Sequence, residues 1–110
     1  MIEVSCQISI KQNGVCFLDP AKTELLREIS RQGSLSAAAK VVNISYQHAW
    51  SLIEEMNRVA PEALVIKQRG GAHGGGAVIS GYGERILKEY KLIEGQMSKF
   101  VSQINVEINL

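Results

Sequence analysis

The sequence predicts a mostly α-helical fold with small β elements, built from four helices and two short hairpins. Three observations carry this. Apolar residues recur at helical spacing in four stretches, and a capping residue opens each. Two turn signals, Asn13-Gly14 and a glycine cluster at 70–76, each stand between short apolar β-type runs. The chain has 110 residues, enough for one core that buries roughly two-thirds of the unfolded surface.

The elements follow in order. Ile2, Val4, Cys6, Ile8 and Ile10 alternate with mainly polar neighbours, and period two predicts a half-buried strand over residues 2–10. Asn13-Gly14 suits a two-residue turn because both residues tolerate positive φ. The return strand then falls near 15–18, giving an N-terminal hairpin over 2–18. In that register Cys16 faces Lys11, so Cys6 and Cys16 do not pair across it. Two cysteines are too few for a disulfide framework, and their spacing matches no zinc pattern.

Asp19 is placed to cap a helix with Pro20 at its first position. That helix runs to about Gln32 with Leu25, Leu26 and Ile29 inward, and Gly33 stops it. Ser34 caps a short helix, LSAAAKVV. Asn43-Ile44-Ser45 forms a tight turn, and Ser45 caps a third helix that ends before Pro61. ALVIKQ and AVIS read as paired strands around the glycine loop, a hairpin over 64–80. Ser80 caps a last helix over 81–104. The alternating tail Ile104, Val106, Ile108, Leu110 reads as a short strand or a fraying end.

This order is a winged helix-turn-helix, with the helix-turn-helix at 34–60. Ala37, Ala38, Ala39 and Ala49 supply the small residues that crossing helices need. Ala49, Ile53, Met56 and Ala60 form the core stripe of the third helix, and Gln47, Ser51, Glu54 and Arg58 fall opposite. Recognition helices present their N-terminal residues to base edges in the major groove. Here those are Ser45, Tyr46, Gln47, His48, Trp50 and Ser51. Gln reads adenine bidentately, and Ser bonds bases or phosphates. Ser34, Ser36 and Ser45 begin helices, where free N–H groups attract phosphate. Each has a plainer reading: the serines cap helices in any protein, His48 suits a solvated helix face, and Tyr46 and Trp50 lie on the edge of the core stripe. Glu54 repels phosphate and marks the edge of a footprint.

The glycine loop is not a nucleotide cradle. Ala77 and Val78 follow it where a Walker loop needs Lys and Ser or Thr, and no G-x-G-x-x-G spacing occurs. A wing is the stronger of the two readings left, a flexible loop without contacts the weaker, and Lys67, Arg69 and His73 place positive charge there. The net charge is only +1, so DNA binding rests on local charge placement.

Gly33-Ser34-Leu35-Ser36, Ala38-Ala39-Lys40, Ile44-Ser45-Tyr46, Ala49-Trp50, Met56-Asn57, the glycine wing and Ser80-Gly81-Tyr82-Gly83 together resemble the N-terminal DNA-binding domain of ModE-type molybdate-responsive transcription regulators. More distantly they resemble the LysR-type winged helix. The likeness covers roughly residues 15–90. It implies double-stranded DNA as partner, with the third helix and the wing facing it. Regulators of this type continue into C-terminal oxyanion-binding modules. This sequence stops at Leu110, so no oxyanion site is carried over and no cofactor is expected.

Ile86, Tyr90, Ile93, Met97, Phe100 and Ile104 are spaced four, three, four, three, four, a heptad seam. Its first part, Ile86 with Leu87, is expected to pack on its own domain; beyond it a homodimer is expected, through the last helix with the first contributing, on a pseudo-palindromic operator. The competing reading is a winged-helix association module that pairs with another regulator and modulates it. No enzyme is expected, since no Cys–His, Ser–His or paired-carboxylate arrangement stands out. Neither a signal peptide nor a membrane span is read, so a cytoplasmic protein is expected.

Overall fold

A computed structural model describes residues 2–68 and 76–110 of the chain. The elements run β1 (Ile10–Gln12), β2 (Val15–Leu18), α1 (Pro20–Gln32), α2 (Leu35–Val41), α3 (Tyr46–Val59), β3 (Val65–Lys67), β4 (Ala77–Ile79) and α4 (Gly81–Glu107). Two antiparallel two-stranded sheets, β1–β2 and β3–β4, flank the helices. This is the mostly helical winged architecture that the sequence predicts.

The caps behave as read. Asp19 accepts from the Lys22 N–H, Ser34 from Ala37, Ser45 from His48 and Ser80 from Gly83. Each satisfies one of the four N–H groups that a helix start leaves without a partner. Leu25, Leu26 and Ile29 of α1 meet Leu35, Ala38 and Ala39 of α2 and Ala49, Ile53 and Met56 of α3 in one buried cluster. The alanines leave no bulk between α2 and α3, so the two helices approach closely.

The N-terminal hairpin is shorter than expected. Asn13 and Gly14 take φ of 51° and 81°, the primed turn that fits twisted strands. Lys11 lies opposite Cys16, as the register predicted. A bulge then inserts Phe17, so that Ile10 meets Leu18, and both Phe17 and Leu18 turn into the core. Pairing stops there, and residues 2–9 are not a strand. The reason lies in β2: the next partners for residues 2–9 would be Asp19 and Pro20, which begin α1 and present no strand edge.

Residues 2–9 instead lie along α4. The Asn105 carboxamide bonds both backbone groups of Val4, accepting its N–H and donating to its carbonyl at 2.9 Å. Tyr90 donates its hydroxyl to the Ile8 carbonyl at 3.0 Å. Cys6 is exposed rather than half-buried, and both cysteines are free.

The end of α4 also departs from expectation. The helix continues past 104 to Glu107, and the Ile108 N–H still reaches the Ile104 carbonyl at 2.8 Å. No strand lies beside this tail among the described residues, so its period-two pattern has nothing to pair with. The first half of α4 is fastened to α1 by Arg27–Glu94 at 3.0 Å and by the Ser30 hydroxyl on Glu84 at 2.7 Å.

Candidate nucleic-acid interface

The turn between α2 and α3 sets the site. Asn43 takes a left-handed φ of 60°, a conformation asparagine tolerates better than most residues. The Ile44 N–H bonds the Ala39 carbonyl at 3.0 Å, closing the turn onto α2. Ser45 then caps α3, its Oγ accepting from His48 at 3.0 Å. Its hydroxyl hydrogen is still able to donate.

The first turns of α3 stand out from the core. Ser45, Tyr46, Gln47, His48 and Ser51 are exposed, and Trp50 is half-buried. Gln47, Ser51, Glu54 and Arg58 make one exposed line along the helix, while Ala49, Ile53, Met56 and Ala60 are buried on the other side. That division matches the expected one. Ser34 is half-buried at its cap, and Ser36 is exposed on α2. Lys40 is exposed in the last turn of α2.

Tyr46 and Trp50 meet edge to face, with ring centroids 6.2 Å apart. Neither is a core residue. Trp50 packs against the rim of the core, and Lys67 lays its ammonium 5.1 Å from the ring centroid. Arg69 and His73, also expected at this surface, lie outside the described residues.

β3 and β4 pair in the register Val65–Ile79, Ile66–Val78, Lys67–Ala77, and the ladder reaches Gln68 and Gly76. Two features missed in the sequence hold this hairpin in place, Asn57 from the recognition helix and Gly83 from α4. Asn57, on α3, donates to the Val65 carbonyl at 2.9 Å and accepts from the Leu64 N–H at 2.8 Å. It also accepts from the Val65 N–H at 3.4 Å. The carboxamide thus takes the place of a third strand on the free edge of β3. Gly83 packs so close that a Cβ there would collide with the Leu64 carbonyl oxygen and the Ile79 side chain. Ser80 adds a bond from its hydroxyl to the Ala63 carbonyl at 2.6 Å. The pattern Ser80-Gly81-Tyr82-Gly83 is therefore a cap followed by a close-approach glycine. Only the cap was legible from residue type alone.

No protein-family model matches the chain. Known proteins do. Over 87 residues, 79% of its length, the chain is 40% identical to the transcriptional regulator ModE of Haemophilus influenzae. It is 41% identical over 86 residues to the DNA-binding transcriptional dual regulator ModE of Escherichia coli. The chain is a ModE-type domain. The molybdenum transport protein ModE of Azotobacter vinelandii matches over 92 residues at 39% identity. The chain spans about a third of the length of these relatives, 33–34% of each.

The seam expected on α4 of this ModE-type domain divides in two. Ile86 packs against the core, and Tyr90 is 3% exposed within its own chain. Tyr90 therefore offers no free ring to a second copy. It is drawn inward by residues 2–9, which its hydroxyl binds. Ile93, Met97, Phe100 and Ile104 remain exposed along one side of the helix, Phe100 most of all at 65%. No helix among the described residues is long and apolar enough to cross a membrane.

Proposed function

We propose that this chain is a sequence-specific, DNA-binding transcription regulator that acts as a homodimer. One observation carries it: the exposed first turns of α3 hold Ser45, Gln47, His48 and Ser51 beside a β-hairpin fixed to the same helix. In this reading α3 lies in the major groove, and Gln47 and Ser51 read base edges. Ser34, Ser36, Arg58, Arg69 and His73 contact the backbone or, from the wing, the minor groove. The relatives' names, which include a DNA-binding regulator, support the partner class. No cofactor enters the proposal.

The second copy pairs through α4. At 27 residues this helix is roughly 40 Å long, and only its first half is fastened to α1. Ile93, Met97, Phe100 and Ile104 continue beyond as an apolar side with the 4–3–4 spacing of a helix-pairing seam. The same side is the one observation that favours the competing reading, in which α4 pairs with another regulator.

Binding to a library of duplexes across a salt series tests the proposal. Selected duplexes are expected to share a two-fold motif. Gln47→Ala relaxes one position of it by about 1–3 kcal/mol. Arg69→Ala weakens all duplexes alike and flattens the salt slope by roughly one. No preference over bulk DNA at low salt overturns autonomous regulation. Sedimentation tests the dimer: wild type as a dimer, Phe100→Asp as a monomer. A wild type that is already monomeric at micromolar concentration refutes self-pairing.

A further inference from the structure

Among the described residues, two polar contacts join the hairpin to the recognition helix beyond their shared core, and Asn57 accounts for one. The other is Lys67 on Trp50, the only tryptophan of the chain. Trp50 and Asn57 are seven residues apart on α3, two turns along one face. Val65 and Lys67 are two apart on β3, also on one face. The strand therefore crosses the helix with Leu64 and Val65 at Asn57 and Lys67 at Trp50. The lysine stem bridges the remaining gap, and its ammonium meets the negative face of the indole.

Orientation separates this lysine from a phosphate contact. At about 100° per residue, Tyr46, Trp50, Ile53 and Asn57 lie roughly a quarter turn around α3 from the line of Gln47, Ser51, Glu54 and Arg58. Lys67 points to that flank, not to the exposed line. Ion pairs among the described residues use Lys22, Arg27 and Arg31. Lys67 takes part in none of them, and its ammonium lies over the Trp50 ring. Tyr46 braces that ring from the side, with its plane at 89°.

We propose that Lys67 is a positioning residue of the wing: its ammonium stays on Trp50 in the DNA complex and fixes the hairpin against the recognition helix, instead of gripping a phosphate. This rests on the DNA-binding reading above and changes the role the sequence suggested for Lys67. Trp50 is then a platform for the wing rather than a base contact. Loss of the pair loosens the wing and weakens every duplex alike. Base preference and the number of phosphates neutralised stay the same.

The experiment measures affinity of the full chain for a selected duplex across a salt series. It compares wild type, Lys67→Met, Trp50→Leu, the double variant and Trp50→Tyr. Lys67→Met is expected to weaken binding about 2–5-fold, the scale of an exposed cation–π contact, with the salt slope unchanged. Its effect disappears on the Trp50→Leu background, and Trp50→Tyr, which keeps a ring, recovers most of the affinity. Should Trp50→Leu fail to fold, indole emission of the free protein replaces that arm. Emission then shifts in Lys67→Met and is retained in Lys67→Arg. A slope flattened by about one in Lys67→Met, an equal loss in both backgrounds, or unchanged emission overturns the proposal. A wild type that binds no duplex refutes the DNA-binding reading and this one with it. A wild type that binds, with a flattened slope in Lys67→Met, refutes this one alone.

Discussion

Replacing Asn57 with alanine tests whether one carboxamide holds the wing to the recognition helix. The Leu64 N–H, just before β3, and the Val65 carbonyl, on the side of β3 away from β4, both face Asn57. Asn57 satisfies both, at 2.8 and 2.9 Å, with a longer third contact to the Val65 N–H. Leu64 is 0% exposed and Val65 3%. Truncation therefore leaves two donors and an acceptor without this partner, and the two shorter bonds cost about 1–3 kcal/mol each. The vacated space is polar and opens toward a half-buried position, so water restores part of the bonding. A net loss of about 2–4 kcal/mol results. For a domain of this size that lowers Tm by about 10–20 °C. Thermal unfolding by circular dichroism measures it, with Asn57→Asp as a companion. The aspartate keeps the acceptor for both N–H groups but sets a carboxylate oxygen against the Val65 carbonyl, so it is also destabilised. Duplex binding, read well below the lowered Tm, weakens without a change in base preference. An alanine variant within about 2 °C of wild type refutes the argument that this bond set holds the hairpin in place.

Three further outcomes follow from the geometry. Gly83→Ala drives a methyl into the Leu64 carbonyl, which is backbone and cannot swing aside. A loss of about 1–3 kcal/mol is expected, and chemical denaturation that finds none would show that α4 shifts freely against β3. Ser45→Ala removes the cap of α3, at about 0.5–2 kcal/mol; Ser45→Asp restores stability but repels phosphate, so stability and duplex affinity should separate between the two variants. Asn105→Ala frees Val4 from α4, and hydrogen exchange at Val4 should rise while α1–α3 stay protected. Unchanged exchange at Val4 would mean that something other than the carboxamide holds residues 2–9.

Local chemistry made the helices and turns legible. Asp19, Ser34, Ser45 and Ser80 cap because a side-chain oxygen reaches an N–H three residues on, a relation contained within four residues of sequence. Asn13-Gly14 fixed its hairpin in the same way, and the 3.6 period of α3 by itself separates Ala49, Ile53 and Met56 from Gln47, Ser51 and Arg58. Contacts between elements were out of reach. Period two marked residues 2–10 as a strand, but a strand needs a partner edge, and β2 ends where Pro20 starts a helix. Tyr90 fitted a heptad seam, yet residues 2–9 enclose it, because their unpaired backbone takes up the hydroxyl. Asn57 and Gly83 are ordinary letters in the sequence. Their roles exist only where α3, β3 and α4 converge, since one bonds a strand edge 8 residues away and the other makes room for a carbonyl that belongs to another element. The same holds for Lys67. Sequence placed a positive charge beside the wing, and the tertiary structure turned it onto Trp50, because alternate strand residues face opposite ways and this one faces the helix.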